Sequence, residues 1–173
     1  MASFGNWRWE NDVNAEIISE EGGEVLESLY IYSAGLKVSD APQQQIGFLT
    51  SFNLGKGWRL GANYVQNSKL YARFEVDADR TDPDRAGLQP VMLPSFGYLD
   101  ARASYLFDIA GVSWRASVNV QNVLNNIYIS DGFETFVTNP QTGVKEQGTV
   151  ENGRMEGYWA YGRTISASLK MIF

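Results

Sequence analysis

The chain contains no cysteine and no histidine. Disulfides, thiol nucleophiles, imidazole acid–base chemistry and the common zinc ligand sets are therefore excluded. Charge of positive sign is scarce: 14 Lys and Arg stand against 20 Asp and Glu, a formal net charge of −6. That balance argues against nucleic acid as a partner. No run of eighteen apolar residues occurs, so no transmembrane helix is expected. A membrane β-barrel is not excluded by this, because its strands need only about 9–11 residues and alternate in polarity. The opening residues, Met-Ala-Ser-Phe-Gly-Asn, have neither a charged leader nor an apolar stretch. They do not read as a signal peptide, and the chain is expected to be a mature product or a piece of a longer one.

What the chain does have is glycine, at 17 of 173 residues, and aromatic residues, at 13%. That combination favours many strands joined by turns. The last ten residues alternate strictly: Ile165, Ala167, Leu169, Met171 and Phe173 on one side, Thr164, Ser166, Ser168, Lys170 and Ile172 on the other. Side chains of a strand alternate with period two, so one face of this ending is wholly apolar.

The same pattern recurs upstream. Gln45–Leu54 places Ile46, Phe48, Thr50, Phe52 and Leu54 together. Trp58–Val76 places Trp58, Leu60, Ala62, Tyr64, Leu70, Ala72, Phe74 and Val76 together. Phe96–Phe107 and Val112–Asn122 repeat it, with Leu99, Ala101, Ala103 and Tyr105 in one and Trp114, Ala116, Val118 and Val120 in the other. Met1 to about Ile18 is expected to be a weaker strand. Sustained spacing of two favours strand over helix.

The connections are lopsided. Leu54-Gly-Lys-Gly57 and Asp108-Ile-Ala-Gly111 read as tight turns. The others are long, about 11–42, 77–95 and 131–157, and all fall at one end of the sheet. The first is expected to hold a hairpin, Val13–Ile18 with Val25–Tyr32, turning at Glu20-Glu-Gly-Gly23. Gly-Lys-Gly at 55–57 is a turn rather than a phosphate loop, because no helical pattern follows it. Asp77, Asp79, Asp82 and Asp84 alternate through one long loop. Calcium is one reading of such an oxygen-rich segment, and a solvated acidic loop is the favoured one.

Either a soluble sheet or a membrane barrel accounts for alternation alone. The apolar faces carry no charge. The opposite faces are mostly Ser, Asn, Gln, Thr and Gly, with Arg59, Asp100, Arg102, Arg115 and Lys170 as the ionic side chains. Aromatics gather at strand ends: Trp58, Tyr105, Phe107, Trp114 and Phe173 near the short turns, Trp159 and Tyr161 near the long loops. Two aromatic belts around an apolar band are the interface signature of a barrel in lipid. The expected fold is all-β: an antiparallel up-and-down transmembrane β-barrel segment of about six strands, spanning 1–173, with short periplasmic turns and long extracellular loops. The alternative is a soluble β-barrel that binds a small apolar ligand. An enzyme has little support, since no carboxylate pair is marked out for acid–base work, and no cofactor is expected.

Several segments resemble the carboxyl-terminal end of TonB-dependent outer-membrane receptors, especially those of Bacteroidota-type bacteria. They are Asn6-Trp-Arg-Trp9 with Glu-Asn-Asp-Val13, Leu36-Lys-Val-Ser-Asp-Ala-Pro-Gln43, Arg80-Thr-Asp-Pro83 and Leu93-Pro-Ser-Phe-Gly-Tyr-Leu-Asp100. The most specific are Asn119-Val-Gln-Asn-Val-Leu-Asn125 with Tyr128-Ile-Ser130, and Gly162-Arg-Thr164 running into the alternating end. No plug domain or TonB-contacting segment is present, and Met171 stands where such endings often carry an aromatic. The resemblance implies a Gram-negative outer membrane and uptake of a scarce nutrient, an iron–siderophore complex first among the options. The implied partners are the rest of the barrel and its plug, TonB through an amino-terminal region, the lipid bilayer, and the barrel-assembly machinery through the last strand. The candidate ligand contacts for such a role are Tyr71 and Arg73, on the polar parity at the extracellular end of the long strand Trp58–Val76, and Phe133, Phe136 and Tyr158 around the last long loop, with ordinary loop aromatics as the other reading. The resemblance implies lumen- or plug-facing roles for Asp100, Arg102, Arg115, Asn119 and Lys170.

Overall fold

The computed structural model describes residues 1–74 and 80–172. Val76, Asp77, Asp79 and Phe173 lie outside the described residues. The fold is all-β with antiparallel sheets, and strand and bridge residues make up 55% of the described residues. In chain order the strands are β1 (Ala2–Phe4), β2 (Val13–Ile18), β3 (Val25–Ile31), β4 (Gln44–Gly55), β5 (Trp58–Ser68), β6 (Phe96–Ile109), β7 (Val112–Gln121), β8 (Ile129–Phe133), β9 (Phe136–Thr138), β10 (Lys145–Gln147), β11 (Glu156–Trp159) and β12 (Thr164–Ile172).

Six of them form one meandering sheet in the order β1-β4-β5-β6-β7-β12. It is an open sheet, with β1 and β12 at its two edges. These six correspond to the six alternating segments of the sequence. Cross-strand partners share a face, so the register decides whether the separate apolar stripes coincide. They do. Thr50, Ala62, Ala101, Val120 and Ile165 form one row across five strands. Phe52, Leu60, Ala103, Val118 and Ala167 form the next. Trp58, Tyr105, Ala116 and Leu169 follow, then Phe107, Trp114 and Met171. This face is uncovered: Phe48 is 66% exposed and Leu169 62%.

Two of the turns are two-residue loops with both central residues at positive φ: Lys56 (49°) with Gly57 (86°), and Ala110 (53°) with Gly111 (78°). That geometry matches the right-handed twist of the strands it joins. Gly57 is constrained twice over, because a Cβ there would stand 2.1 Å from the Leu106 carbonyl oxygen.

The long connections build a separate layer. β2 pairs with β3 in the expected hairpin, Val13 opposite Ile31 and Glu16 opposite Ser28. β8 pairs with β11, and β9 with β10. The buried apolar cluster lies in this layer: Leu70, Ala72, Val91 and Leu93, with Phe96, Ile129 and Met155 packed against them.

Two strand expectations are corrected. Met1 to Ile18 is not one strand but β1 and β2, with 5–12 between them. Trp58–Val76 is not continuous either, since β5 ends at Ser68. Lys69 takes a left-handed φ of 55°, which swings the chain off the sheet. Leu70 and Ala72 then exchange backbone hydrogen bonds with Leu93 and Val91, at 2.8 Å each. They are buried in the loop layer rather than carried on the exposed apolar face.

Candidate functional site

The turn at Lys69 delivers Arg73 into the loop layer. Its backbone N–H donates to the Gly132 carbonyl at 2.7 Å, and its carbonyl accepts from Glu134 N–H at 2.6 Å. Its guanidinium pairs with Asp131 through Nη2 and lies 3.1 Å from Asp40 Oδ1 through Nε. The same group sits over the Phe133 ring, 4.6 Å from the centroid. Phe133 meets Tyr158 edge to face at 5.8 Å. Three of the five sequence-predicted ligand residues are thus in one contact chain, and the cation among them is already neutralised by two carboxylates. Arg73 is not at the end of a long strand, as the alternation suggested, because β5 has ended before it.

Tyr71 bridges to Met92 and has Lys37 Nζ 6.0 Å above its ring. Lys37 also donates to Asn6 Oδ1. Burial, with Arg8 and Lys69 nearby, pushes its pKa below the ordinary lysine value. Phe136 belongs to a different contact, with Arg85 over its ring at 3.9 Å. What this region can do chemically is stack and accept hydrogen bonds, with Tyr158 more than half exposed.

Beneath these residues lies a contact that alternation gives no sign of. Arg80 and Glu134 form an ion pair in which both side chains are fully buried. Arg80 Nη1 also donates to the Leu88 carbonyl at 2.6 Å, and its carbonyl accepts from Tyr32 N–H at 2.8 Å. Gln147 Nε2 bonds both Glu134 and the Gln89 carbonyl. One buried pair therefore joins all three long connections. In the acidic loop, Asp82 Oδ1 accepts from Asp84 N–H at 3.0 Å and Asp82 Oδ2 faces Arg85 Nε at 3.4 Å.

The register puts Asp100, Arg102, Arg115, Asn119 and Lys170 on the polar face of the sheet. Arg102 is opposite Asn119, and Arg115 is opposite Lys170. Asp100 is already in use: its Oδ1 accepts from Asn122 N–H at 2.9 Å. That bond belongs to a knot made by the Asn-rich segment after β7. Asn122 is buried at a φ of 50°, a conformation asparagine tolerates well. Its amide bonds the backbone of Asn126 through both ends, Oδ1 to N–H at 3.0 Å and Nδ2 to the carbonyl at 2.8 Å. Asn125 Oδ1 accepts from Arg163 N–H at 2.9 Å, just before β12 begins. The segment with the most specific resemblance thus has a local task, ending β7 and aligning β6 and β12 beside it.

Of the aromatic side chains, Trp58 stacks on Tyr105 at 4.6 Å, and Tyr105 on Phe107 at 5.6 Å. Trp114 stands opposite Phe107. These four make a continuous patch at the short-turn end. Trp159 closes β11 and Tyr161 follows it, both outside the six-stranded sheet and both exposed. At the long-loop end Tyr128 stacks on Phe96 at 4.1 Å and on Tyr98 at 6.2 Å. Burial, then the neighbouring Tyr98 and Asp100, raises the Tyr128 pKa above the ordinary tyrosine value.

Compared with known proteins, the chain matches no family model, no curated protein and no solved structure.

Proposed function

We propose that the chain is wall and loop of a TonB-dependent outer-membrane receptor, which takes up a scarce nutrient with an iron–siderophore complex as the first candidate. The observation that carries this reading is the single uncovered apolar face on which five strands agree in register. Five strands about 4.8 Å apart, each about nine residues long at about 3.4 Å per residue, make a face roughly 24 Å by 30 Å. Water-soluble monomers rarely leave so large an apolar area open. With the usual tilt of about 40°, that strand length matches an apolar band about 25 Å tall. The asymmetry of short turns and long loops fits periplasmic and extracellular ends. The open edges at β1 and β12 fit continuation by further strands, since a bilayer does not tolerate free edges. In this reading the loop layer captures the ligand, and the polar face looks into the lumen.

The soluble-barrel alternative needs an enclosed apolar interior, whereas here the apolar side chains are exposed on an open sheet. The full-length gene product should partition into detergent and run at a heat-dependent position on gels. Recovery of these residues as a folded, monodisperse monomer from detergent-free water would sink the proposal.

A further inference from the structure

Of the asparagines in the chain, only Asn152 is followed by glycine. The pair lies in the last long connection, in the turn between β10 and β11, and both residues are exposed. The Asn152 carboxamide is held through both of its polar atoms. Oδ1 accepts from Thr149 N–H at 2.8 Å and from Arg154 N–H at 3.0 Å, and Nδ2 donates to the Gln147 carbonyl at 3.2 Å. The bond from Arg154 N–H, two residues on, folds the side chain back along its own backbone. Its Cγ is thereby brought beside the Gly153 nitrogen. Gly153 has a φ of 67°, and nothing lies within 4 Å of its notional Cβ. Its N–H makes a long bond, 3.3 Å, to the Val150 carbonyl, which opens at little cost.

We infer that Asn152–Gly153 is a self-modification site, where the carboxamide converts to aspartate and isoaspartate without an enzyme and the turn is unfastened from the loop layer. The Gly153 nitrogen attacks Asn152 Cγ. A Cγ–N bond forms, the Cγ–Nδ2 bond breaks, and ammonia leaves with the proton that the Gly153 nitrogen gives up. A cyclic imide remains. Water then adds across one of its two C–N bonds, giving aspartate when the new bond opens and isoaspartate when the old peptide bond does. The attack places negative charge on Oδ1. Two backbone N–H groups already point at that oxygen, the arrangement that stabilises such a charge in acyl transfer. Glycine lacks the Cβ that would crowd the attacking nitrogen. The aspartate product puts an oxygen where Nδ2 met the Gln147 carbonyl, so a donor becomes a charged acceptor. Gln147 is the residue whose side chain bonds Glu134 and the Gln89 carbonyl, so the change bears on the buried Arg80–Glu134 pair. The inference goes beyond the receptor reading and holds without it.

The test ages the full-length gene product in its folded state and follows residue 152 by peptide mass spectrometry. The peptide should gain the mass of OH in place of NH2, as a mixture of aspartate and isoaspartate. Conversion should quicken as pH rises, because the nitrogen attacks once deprotonated. Asn67, which precedes Ser68 and is buried in β5, should stay unchanged. Gly153→Ala should slow conversion about tenfold. Aged protein should be cut by protease within residues 145–156 sooner than fresh protein. Asn152→Gln, whose longer side chain closes the ring far less readily, should show no change of sensitivity with age. Conversion in urea but none in the folded protein would show that the fold protects the site, and would overturn the inference. Aspartate as the sole product would do the same, since it marks direct hydrolysis by water, as would a rate indifferent to Gly153→Ala. Equal cutting of aged and fresh protein would sink the unfastening.

Discussion

Arg80 and Glu134, 54 positions apart in the chain, form a fully buried ion pair. Removing one partner from such a pair leaves an uncompensated charge, at a cost of about 3–5 kcal/mol. Glu134→Ala should therefore loosen the loop layer, and limited proteolysis should cut within residues 80–95 and 134–155 far faster than in the parent. Arg80→Met with Glu134→Leu should restore much of the protection, because two apolar groups replace two charges. If Glu134→Ala left the cleavage rate unchanged, the pair would have no structural weight.

Asn122 invites a comparison of two substitutions. Asn122→Gly keeps the left-handed backbone but loses the side-chain bonds to Asn126, while Asn122→Ala loses both. Each lost buried bond costs about 1–3 kcal/mol when a partner is left unsatisfied, and a Cβ at positive φ adds about 1–2 kcal/mol. The alanine variant should have the lower urea midpoint in detergent, with glycine between it and the parent.

The two tight turns should respond unequally to alanine. Gly111 has φ 78° with nothing within 4 Å of its notional Cβ, so Gly111→Ala should cost about 1–2 kcal/mol from backbone strain alone. At Gly57 the same strain is joined by the collision with the Leu106 carbonyl. Gly57→Ala should lower the temperature of the heat-dependent gel transition further than Gly111→Ala does. Equal shifts would mean that the hairpin relaxes freely at Gly57.

Val118 and Ser117 are adjacent in β7 yet face opposite ways, so under the proposed reading a single position separates lipid from water. An arginine on the lipid face near the bilayer centre costs about 2–4 kcal/mol. Val118→Arg should then reduce insertion of the full-length gene product into phospholipid vesicles, whereas Ser117→Arg should insert normally. Equal insertion of both would remove lipid as the covering of the apolar face.

Ligand binding can be probed through the carboxylates rather than the arginine. Asp131→Asn and Asp40→Asn together free the Arg73 guanidinium. Both ion pairs are partly exposed, so the stability cost should stay within about 1 kcal/mol. Under the proposed receptor reading, if Arg73 is held only for loop structure, the affinity of the full-length gene product for an iron–siderophore complex should be unchanged. A change of about tenfold or more would assign it to the ligand.

Much of the sheet was legible from period two alone. Trp58, Tyr105, Ala116 and Leu169 share a parity in their own strands, and pairing then brings them into one row. The turns at Gly57 and Gly111 and the hairpin of β2 with β3 were legible from glycine placement. The end of β5 was not. Leu70 and Ala72 keep the alternation of the strand before them, and the change at Lys69 is one dihedral angle that no residue pattern records. The Arg80–Glu134 pair was invisible for another reason: two charged residues in separate loops have no periodic relation, and only the fold brings them together. At the loop cluster, sequence picked out Arg73, Phe133 and Tyr158 by residue type. It could not show that Asp40 and Asp131 would hold the arginine.

The left-handed residues at Lys69 and Asn122 mark two of the joints where the chain passes between sheet and loop layer. The apolar cluster of the loop layer is tied to the sheet where Phe96 of β6 packs against it. Under the proposed reading, changing the segments between such joints would alter the ligand-facing loops and leave the strand register, which backbone pairing sets, intact.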